Sequence, residues 1–266
     1  GKAMAELFAA EGAKVVCSAR TLKEGDHRLF EGSLTTTVSE IKSSGGTALA
    51  IQADLSREES CIQLLARAKE AFGPIDVLIN NAAVSYFIPI KDMTTKQWDI
   101  SWATGPRAVF ILCREVLSGM IEQGSGAIVN ISSGAAIGPG RGPYTEKEPP
   151  AHPGSKYGAE KAAIERFSQG LAQEVYQYGI SVAALAPSQV VVTPGTLYFG
   201  MAHGPDDPRA ESPEMMAKAT LLLATELLDK VTGRVTYSQA ILKEFGWIAE
   251  AKGTGVDHPG TGYSQI

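Results

Sequence analysis

Short runs of apolar, often β-branched residues alternate along this chain with longer stretches in which apolar side chains recur every three or four positions. The short runs are typical of buried strands, and the longer periodic stretches are typical of amphipathic helices. The predicted strands are 14–19, 47–54, 75–80, 127–132, 180–186 and 233–238, and the predicted helices are 2–11, 33–43, 56–71, 95–122, 155–178 and 212–228. Ser56 and Glu59 form a capping-box pattern at the start of the third helix.

This alternation predicts a doubly wound α/β fold of the Rossmann type, in which helices cover both faces of a parallel sheet. No repeat or low-complexity linker divides the 266 residues, so we expect one domain over 1–266. A fold of this type normally opens with a strand and a glycine-rich turn before its first helix. Because the given chain opens inside that helix, the first strand and the turn are expected upstream, with the strand lying between strands 14–19 and 75–80.

Charge and composition exclude several classes of function. A net charge of −5 and an isoelectric point near 5.5 argue against a general affinity for nucleic acid or an anionic membrane. No apolar run approaches the ~20 residues that span a bilayer. The cysteines and histidines are dispersed, without the spacing of a metal site: Cys17, Cys61, Cys113, His27, His152, His203 and His258. We therefore expect reduced cysteines, a cytoplasmic protein and no metal.

Tyr157 and Lys161 are the main candidates for chemistry. They lie four residues apart in a predicted helix, so their side chains share one face. A free tyrosine titrates near ~10, whereas a neighbouring lysine would lower this pKa and make the phenol a useful acid or base. Ser133 follows a buried strand and is a further candidate; the alternative for it is a strand-end cap. Tyr144 is a rival tyrosine, but Glu148 stands four residues after it instead of a lysine.

Five segments, taken in order, resemble the short-chain dehydrogenase/reductase family over almost the whole chain. They are GKAMAELFAAEGAKVV at 1–16, NNAA at 80–83, AIVNISS at 127–133, YGAEKAA at 157–163 and LAPSQVVVTPG at 185–195. The resemblance implies hydride transfer between a nicotinamide cofactor and an alcohol or ketone. It also implies that Tyr157 exchanges a proton with the substrate oxygen, that Ser133 hydrogen-bonds this oxygen, and that Lys161 binds the nicotinamide ribose.

The chain departs from the family pattern at three positions. Gly105 stands where the family has an asparagine that holds a water of the proton relay, Ala183 replaces a second asparagine, and Ser188 replaces a glycine. An alternative function is therefore a degenerate member that binds a dinucleotide or a protein partner without efficient turnover. The intact trio of Ser133, Tyr157 and Lys161 favours an active alcohol dehydrogenase or carbonyl reductase.

The resemblance also identifies cofactor contacts. Besides Tyr157 and Lys161, they are Gly1, Arg20, Asp54, Asn80, Ala82, Pro187, Val190 and Thr193. Strand 14–19 is followed by Arg20 and lacks the carboxylate that NAD sites offer to the ribose hydroxyls. Because arginine suits a 2′-phosphate, NADP is preferred to NAD. NAD stays open, since Glu24 or Asp26 could fold back towards the ribose, and Asp54 would either contact the adenine or cap the next helix.

The positions expected to face the substrate are apolar. The segment 194–216 resembles a mobile substrate lid and contains Leu197, Tyr198, Phe199, Met201, Met215 and Met216, although the last two would serve equally as helix-packing residues. Tyr86 and Phe87 would add an aromatic wall, and the Gly- and Pro-rich stretch 138–154 a loop over the site. These features favour a hydrophobic alcohol or ketone. The resemblance further implies a homodimer or homotetramer formed through helices 95–122 and 155–178.

Overall fold

The structure, a computed structural model, describes residues 1–27, 31–140, 143–145, 147 and 152–258. Its helices are α1 (Lys2–Ala10), α2 (Leu34–Ser43), α3 (Glu58–Phe72), α4 (Thr95–Trp102), α5 (Ala108–Gln123), α6 (Ser155–Val175), α7 (Pro194–Tyr198), α8 (Pro213–Thr225), α9 (Leu228–Val231) and α10 (Ser238–Glu244). Its strands are β1 (Lys14–Ala19), β2 (Thr47–Gln52), β3 (Val77–Asn80), β4 (Gly126–Ile131), β5 (Ile180–Ala186), β6 (Val190–Val191), β7 (Ala210–Glu211) and β8 (Val235–Tyr237).

All paired strands run parallel, as the sequence predicts. The largest sheet has the order β3-β4-β5-β8, while β1 pairs with β2 and the short β6 pairs with β7. Within the described residues, β1 and β3 are not hydrogen-bonded to each other, so the sheet is divided at this point. The further strand expected between them stays a prediction.

Helices cover both faces of the strands, which confirms the predicted doubly wound α/β class. α3, α5 and α6 pack on one face, and α1, α2, α8 and α10 lie on the other. β5 is buried along its whole length, with Ile180 and Leu185 fully inaccessible to solvent. An almost wholly apolar strand is expected where a parallel sheet is covered on both sides.

The predicted helical stretch 95–122 is confirmed, but it is kinked near its middle. α4 ends at Trp102, and a π-helical stretch, Ala103–Arg107, leads into α5. Gly105 leaves helical geometry, with φ −90° and ψ −109°, and Pro106 follows it. Proline lacks an N–H and disfavours helical geometry in the residue before it, so this Gly-Pro pair accounts for the kink.

The predicted capping box is also wrong. α3 begins at Glu58, with Arg57 as its N-cap, and no side chain caps it. The Ser56 hydroxyl donates instead to Asp54 Oδ1 at 2.7 Å, and the Ser56 N–H donates to the same oxygen at 3.1 Å. Asp54 thus forms a local turn that leads the chain into α3, which agrees with the helix-entry alternative.

The chain after β5 contains short elements that its hydrophobic pattern did not predict. These are β6, α7, β7, α9 and α10. The predicted strand 233–238 stops at Tyr237, because Ser238 begins α10. Strands of two residues and helices of four to seven residues are too short for a hydrophobic period to define them. No helix in the described part of the chain is both long and apolar enough to cross a membrane.

Candidate active site

Ser133 and Tyr157 meet at the carboxyl ends of the central strands. Ser133 follows β4 and begins a 3₁₀ turn, Gly134–Ala136, while α6 presents Tyr157 in its first turn. Gly158 allows α6 to lie close to this turn, because a Cβ atom there would be 2.6 Å from the Ala135 carbonyl oxygen. Open α/β sheets bind their ligands at this edge.

Tyr157 is half-buried, and its burial raises the pKa of the phenol because the charged phenolate is poorly solvated. Hydrogen bonds from the Ser133 and Ser85 side chains act in the opposite direction and lower this pKa. The Ser133 hydroxyl also accepts from the Ala135 N–H at 3.2 Å. Ser133 is therefore both a cap after the strand and a direct neighbour of the phenol.

Lys161 is 4% exposed, and its ammonium donates to the Ile131 carbonyl at 2.6 Å. Burial lowers the Lys161 pKa to about 8, although the nearby carboxylates of Glu160 and Glu165 act to raise it. The ammonium lies 5.5 Å from the centroid of the Tyr157 ring. The prediction that Lys161 holds the Tyr157 pKa below its ordinary value is wrong for this structure, because burial dominates and the opposing hydrogen bonds come from serines.

Ser85 is a site residue that the sequence analysis missed. It lies in the loop after β3, beside the predicted aromatic residues Tyr86 and Phe87, and its side chain reaches the Tyr157 phenol across more than seventy positions of sequence. In the sequence, only its position shortly after the carboxyl end of a buried strand points to a role in the site. A single serine in such a loop carries no motif of its own.

A buried polar network joins the strands beneath the site. The Asn80 Nδ2 atom donates to Asn130 Oδ1 at 2.8 Å and to Cys113 Sγ at 3.6 Å, and Asn130 Nδ2 donates to Ser168 Oγ at 2.8 Å. The Asn80 amide nitrogen thus holds β3 and β4 together, whereas its Oδ1 atom is buried and has no partner among the described residues. Its predicted contact with a dinucleotide stays a prediction.

The start of α1 lies beside the end of β3. A Cβ atom on Gly1 would be 2.8 Å from Asn81 Nδ2, and Ala82 is exposed next to it. No side chain of the described residues caps α1. A helix N-terminus at the carboxyl edge of the strands fits the pyrophosphate of a dinucleotide.

Arg20 is exposed just beyond β1, and its carbonyl accepts from Gln52 Nε2 at 2.7 Å. Asp54 is half-buried nearby, and its pKa is lowered first by the hydrogen bond from Ser56 and then by smaller effects that include the charge of Arg20. The two alternative carboxylates have local partners. Glu24 accepts from the N–H of Gly32 at 2.9 Å and from the Thr36 hydroxyl, and Asp26 accepts from the N–H of Lys23 at 2.8 Å.

Three further predicted cofactor residues lie on one connection after β5. Pro187 follows the strand, Val190 begins β6, and Thr193 caps α7. The Thr193 hydroxyl accepts from the Thr196 N–H at 3.1 Å. Contact between these residues and the nicotinamide stays a prediction.

Ser188, which stands where the family has a glycine, uses its hydroxyl and its N–H in a buried network. Its Oγ accepts from the Gln239 N–H at 3.0 Å, and its N–H donates to Ser238 Oγ at 2.9 Å. Glu211 accepts from Ser238 Oγ at 2.7 Å and from Gln239 Nε2 at 2.9 Å. β6, β7 and the start of α10 are therefore tied together at one point.

An aromatic cluster adjoins Tyr157. The Phe87 ring lies 5.8 Å from the Tyr157 ring and 5.8 Å from the Phe199 ring, both edge to face, and Tyr198 packs on Phe199 at 5.2 Å. Leu197, Tyr198 and Phe199 are 43%, 58% and 41% exposed. Aromatic pairs in this geometry form apolar walls with a defined shape.

Met216 and Met215 belong to α8 and do not line this cluster. Met216 is 5% exposed, and both side chains pack in the core with α1 and α10, which confirms the alternative of helix packing. Tyr144 is 64% exposed and donates to the Gly140 carbonyl at 2.5 Å. Of the predicted loop 138–154, residues 141, 142, 146 and 148–151 lie outside the described residues, and Glu148 is among them.

The cysteines and acidic groups form no metal centre in the part of the chain that the structure describes. Cys17, Cys61 and Cys113 are buried free thiols. Within the same ranges, no three side chains of His, Cys, Asp or Glu are placed to hold a metal ion.

Comparison with known proteins identifies the family. Residues 1–197 match the family model described as short chain dehydrogenase. The chain is 33% identical over 193 residues to a short chain dehydrogenase of Pseudocercospora fijiensis, a match that covers 71% of this chain and 56% of that protein. It is 29% identical over 239 residues to an NAD-dependent glycerol dehydrogenase of Listeria innocua, and this match covers 88% of this chain and 85% of that protein.

Solved structures agree with this assignment. The crystal structure of a metagenomic short-chain oxidoreductase in complex with NADP has a TM-score of 0.68 and 26% sequence identity to this chain, and the match covers 89% of this chain and 90% of the other. The match to the family model spans well over half of the chain, and it includes Ser133, Tyr157 and Lys161. The chain belongs to the short-chain dehydrogenase family.

Proposed function

We propose that this protein is an NAD(P)-dependent oxidoreductase that interconverts an apolar alcohol and its ketone, with Tyr157 as the general acid or base. The observation that carries the proposal is the meeting of Tyr157, Ser133 and Lys161 at the carboxyl ends of β4 and its neighbours. Proton transfer by a positioned side chain contributes typically ~10²–10⁴-fold to a rate.

The electrostatics of the site keep the Tyr157 phenol in the protonated form that reduction of a ketone requires. Burial raises the Tyr157 pKa, so the phenol carries its proton at neutral pH and is available as an acid. The Ser133 and Ser85 hydroxyls, which act to lower the pKa of the phenol, would hydrogen-bond the same substrate oxygen and stabilise the negative charge that develops on it. The bound dinucleotide would supply the hydride, while Lys161 would hold its ribose hydroxyls.

The surroundings of Arg20 support NADP as the preferred cofactor. Its guanidinium is exposed beyond β1, where a planar fork of donors suits a 2′-phosphate. Glu24 and Asp26, the two carboxylates that would suit NAD, are engaged by backbone N–H groups of their own loop. NAD is the second candidate.

The test is a fluorescence titration with NADPH and NADH, followed by turnover of both cofactors on a panel of apolar ketones and small polyhydroxy ketones. We expect NADPH to bind more tightly than NADH and to be oxidised fastest with apolar ketones. The second candidate function, a binding protein without efficient turnover, is favoured by Gly105 at the family's asparagine position. Tight cofactor binding without oxidation on any ketone would support it and overturn the proposed activity.

The aromatic cluster predicts where substrate selectivity resides. Phe199 is exposed on one side and packs against Phe87, which itself touches Tyr157. Phe199→Ala is expected to raise KM for apolar ketones about 10-fold, with little change in kcat, because an aromatic contact of about 1.5 kcal/mol is lost. KM for polyhydroxy ketones should not change.

Steady-state kinetics on the two classes of ketone measure this effect. Ile62→Ala is the matched control, since Ile62 on α3 is 39% exposed and forms no part of the aromatic cluster. An equal loss for both classes of ketone would show that Phe199 supports the fold and does not select the substrate.

We also propose a homodimer or homotetramer that assembles through α4, α5 and α6. Trp98, Phe110 and Tyr176 on or beside these helices are 38%, 47% and 50% exposed. Large apolar side chains gathered on neighbouring helices are typical of protein interfaces. We further propose that the protein is cytoplasmic and that residues 1–266 form a single domain.

A further inference from the structure

Four charged side chains on α6 are almost completely buried. Lys156, Glu160, Lys161 and Glu165 are 2%, 3%, 4% and 1% exposed. They alternate in sign as two pairs, each with a spacing of four residues, so that each lysine lies one turn before a glutamate. The proposed reaction uses Lys161, but it assigns nothing to Lys156 and Glu160.

The Lys156–Glu160 pair connects three parts of the fold. The Lys156 ammonium donates to Glu160 Oε2 at 3.3 Å, to the Val84 carbonyl at 3.2 Å and to Ser101 Oγ. The Ser101 hydroxyl lies 2.7 Å from the Val84 carbonyl and 3.1 Å from Glu160 Oε2. α6, α4 and the loop after β3 therefore converge on one buried cluster, which consists of Lys156, Glu160, Ser101 and the Val84 carbonyl.

Stability alone does not account for this cluster. Removing two charges from water is costly, and apolar residues of similar volume are often as stabilising as a buried ion pair. The Glu160 Oε1 atom is buried and has no hydrogen-bond partner among the described residues. A buried carboxylate oxygen without a partner lowers the free energy of unfolding, so its retention requires another explanation.

The anchored loop forms one wall of the candidate active site. Val84 immediately precedes Ser85, which hydrogen-bonds the Tyr157 phenol, and Phe87 packs against the Tyr157 ring at 5.8 Å. The Lys156 ammonium lies 5.4 Å from the Tyr86 ring centroid and 6.0 Å from the Tyr157 ring centroid. The cluster thus lies directly behind the residues that would contact the substrate oxygen.

We propose that Lys156 and Glu160 are positioning residues, which hold the Val84–Phe87 loop against α6 so that Ser85 and Phe87 are fixed relative to the Tyr157 hydroxyl. The proposal rests on the proposed function and adds residues to that site. Misplacement of a reacting group by about 1 Å can lower a rate about 10²-fold, so a loose loop would cost turnover even in a stable protein.

The test compares the single variants Lys156→Met and Glu160→Met with the double variant. Each single variant leaves one buried charge without its partner, so its thermal midpoint should fall. The double variant should recover most of this loss. Its kcat for apolar ketones should nevertheless stay about 10²-fold below that of the native protein, while its NADPH dissociation constant should be unchanged, because the pair lies behind the substrate wall.

Hydrogen exchange provides a readout that does not depend on turnover. The amides of Ser85, Tyr86 and Phe87 should exchange at least 10-fold faster in the double variant than in the native protein, although the thermal midpoint is restored. Ser101→Ala is the milder variant if the double variant does not fold, and it should loosen the same amides. Arg234→Met/Glu244→Met, which removes an ion pair from the outer end of α10, should change neither kcat nor these amides.

Native kcat together with native protection at 85–87 in the double variant would overturn the proposal. If the native chain reduced no ketone, the proposed function would fail, and the exchange rates would still decide whether Lys156 and Glu160 hold the loop.

Discussion

Replacing Tyr157 with phenylalanine is expected to lower kcat for ketone reduction about 10³-fold, within the range typical of general acid catalysis. The substitution removes only the phenol oxygen, which is the atom that Ser133 and Ser85 hydrogen-bond. The ring and its edge-to-face contact with Phe87 are retained, so the fold and the affinity for NADPH should change little. Single-turnover oxidation of bound NADPH measures the chemical step directly.

Tyr144→Phe is the control for this experiment. Tyr144 is exposed, and its hydroxyl donates to the Gly140 carbonyl, so loss of that hydroxyl should leave the rate unchanged. Full turnover in Tyr157→Phe, with a loss in Tyr144→Phe, would reassign the general acid to the loop after β4.

Lys161→Met is expected to have the second largest effect, lowering kcat/KM about 10²-fold or more. The Lys161 ammonium is held by the Ile131 carbonyl beside the Tyr157 ring, and the proposed mechanism assigns it the ribose hydroxyls of the cofactor. The loss should therefore appear both in the NADPH dissociation constant and in kcat. Lys69→Met is a matched control, because the Lys69 ammonium also donates to a main-chain carbonyl, that of Glu115, but lies on α3.

Lys161→Met should also change how the free energy of unfolding depends on pH. The Lys161 pKa is about 8 in the folded protein, below its ordinary value of 10.5. Between about pH 8 and pH 10.5, Lys161 keeps its proton in the unfolded chain but has released it in the folded chain. The free energy of unfolding therefore increases with pH across this window. Below pH 8 both states are protonated, and the full cost of the buried charge is present.

Thermal midpoints measured from pH 7 to pH 10.5 test this linkage. The difference between the native protein and Lys161→Met should shift in favour of the native protein as the pH rises through this window. A constant difference would mean that Lys161 titrates at its ordinary pKa in the folded protein and would contradict the prediction.

Much of the candidate site could be predicted from the sequence because its residues lie at strand ends and in ordered motifs. Ser133 follows a buried apolar strand, and Tyr157 and Lys161 share one helical face, so local spacing and the family resemblance were enough to bring them together. The β-strands and α-helices before β5 follow the same reasoning, since the strands are short apolar runs and the helices span at least two turns.

Contacts between distant segments could not be predicted in this way. Ser85 reaches Tyr157 only because the loop after β3 folds over α6. Lys156 and Glu160, four residues apart on a helix, have the pattern of an exposed surface pair, and only the packing of α4 against α6 reveals that they are buried. Whether the Tyr157 pKa is raised or lowered likewise depends on the burial of the phenol, which no local pattern of residues specifies.

The buried network around Ser188 holds both ends of the segment that carries Leu197, Tyr198 and Phe199. Ser188 lies before this segment and Glu211 lies at its end. Both residues hydrogen-bond to Ser238 and Gln239 at the start of α10. The two ends of this segment are therefore fixed to the same point on the rest of the fold. Substitutions within residues 192–209 should therefore leave the ends of β5 and the start of α10 in place, because the buried hydrogen bonds that hold both ends of this segment lie outside it.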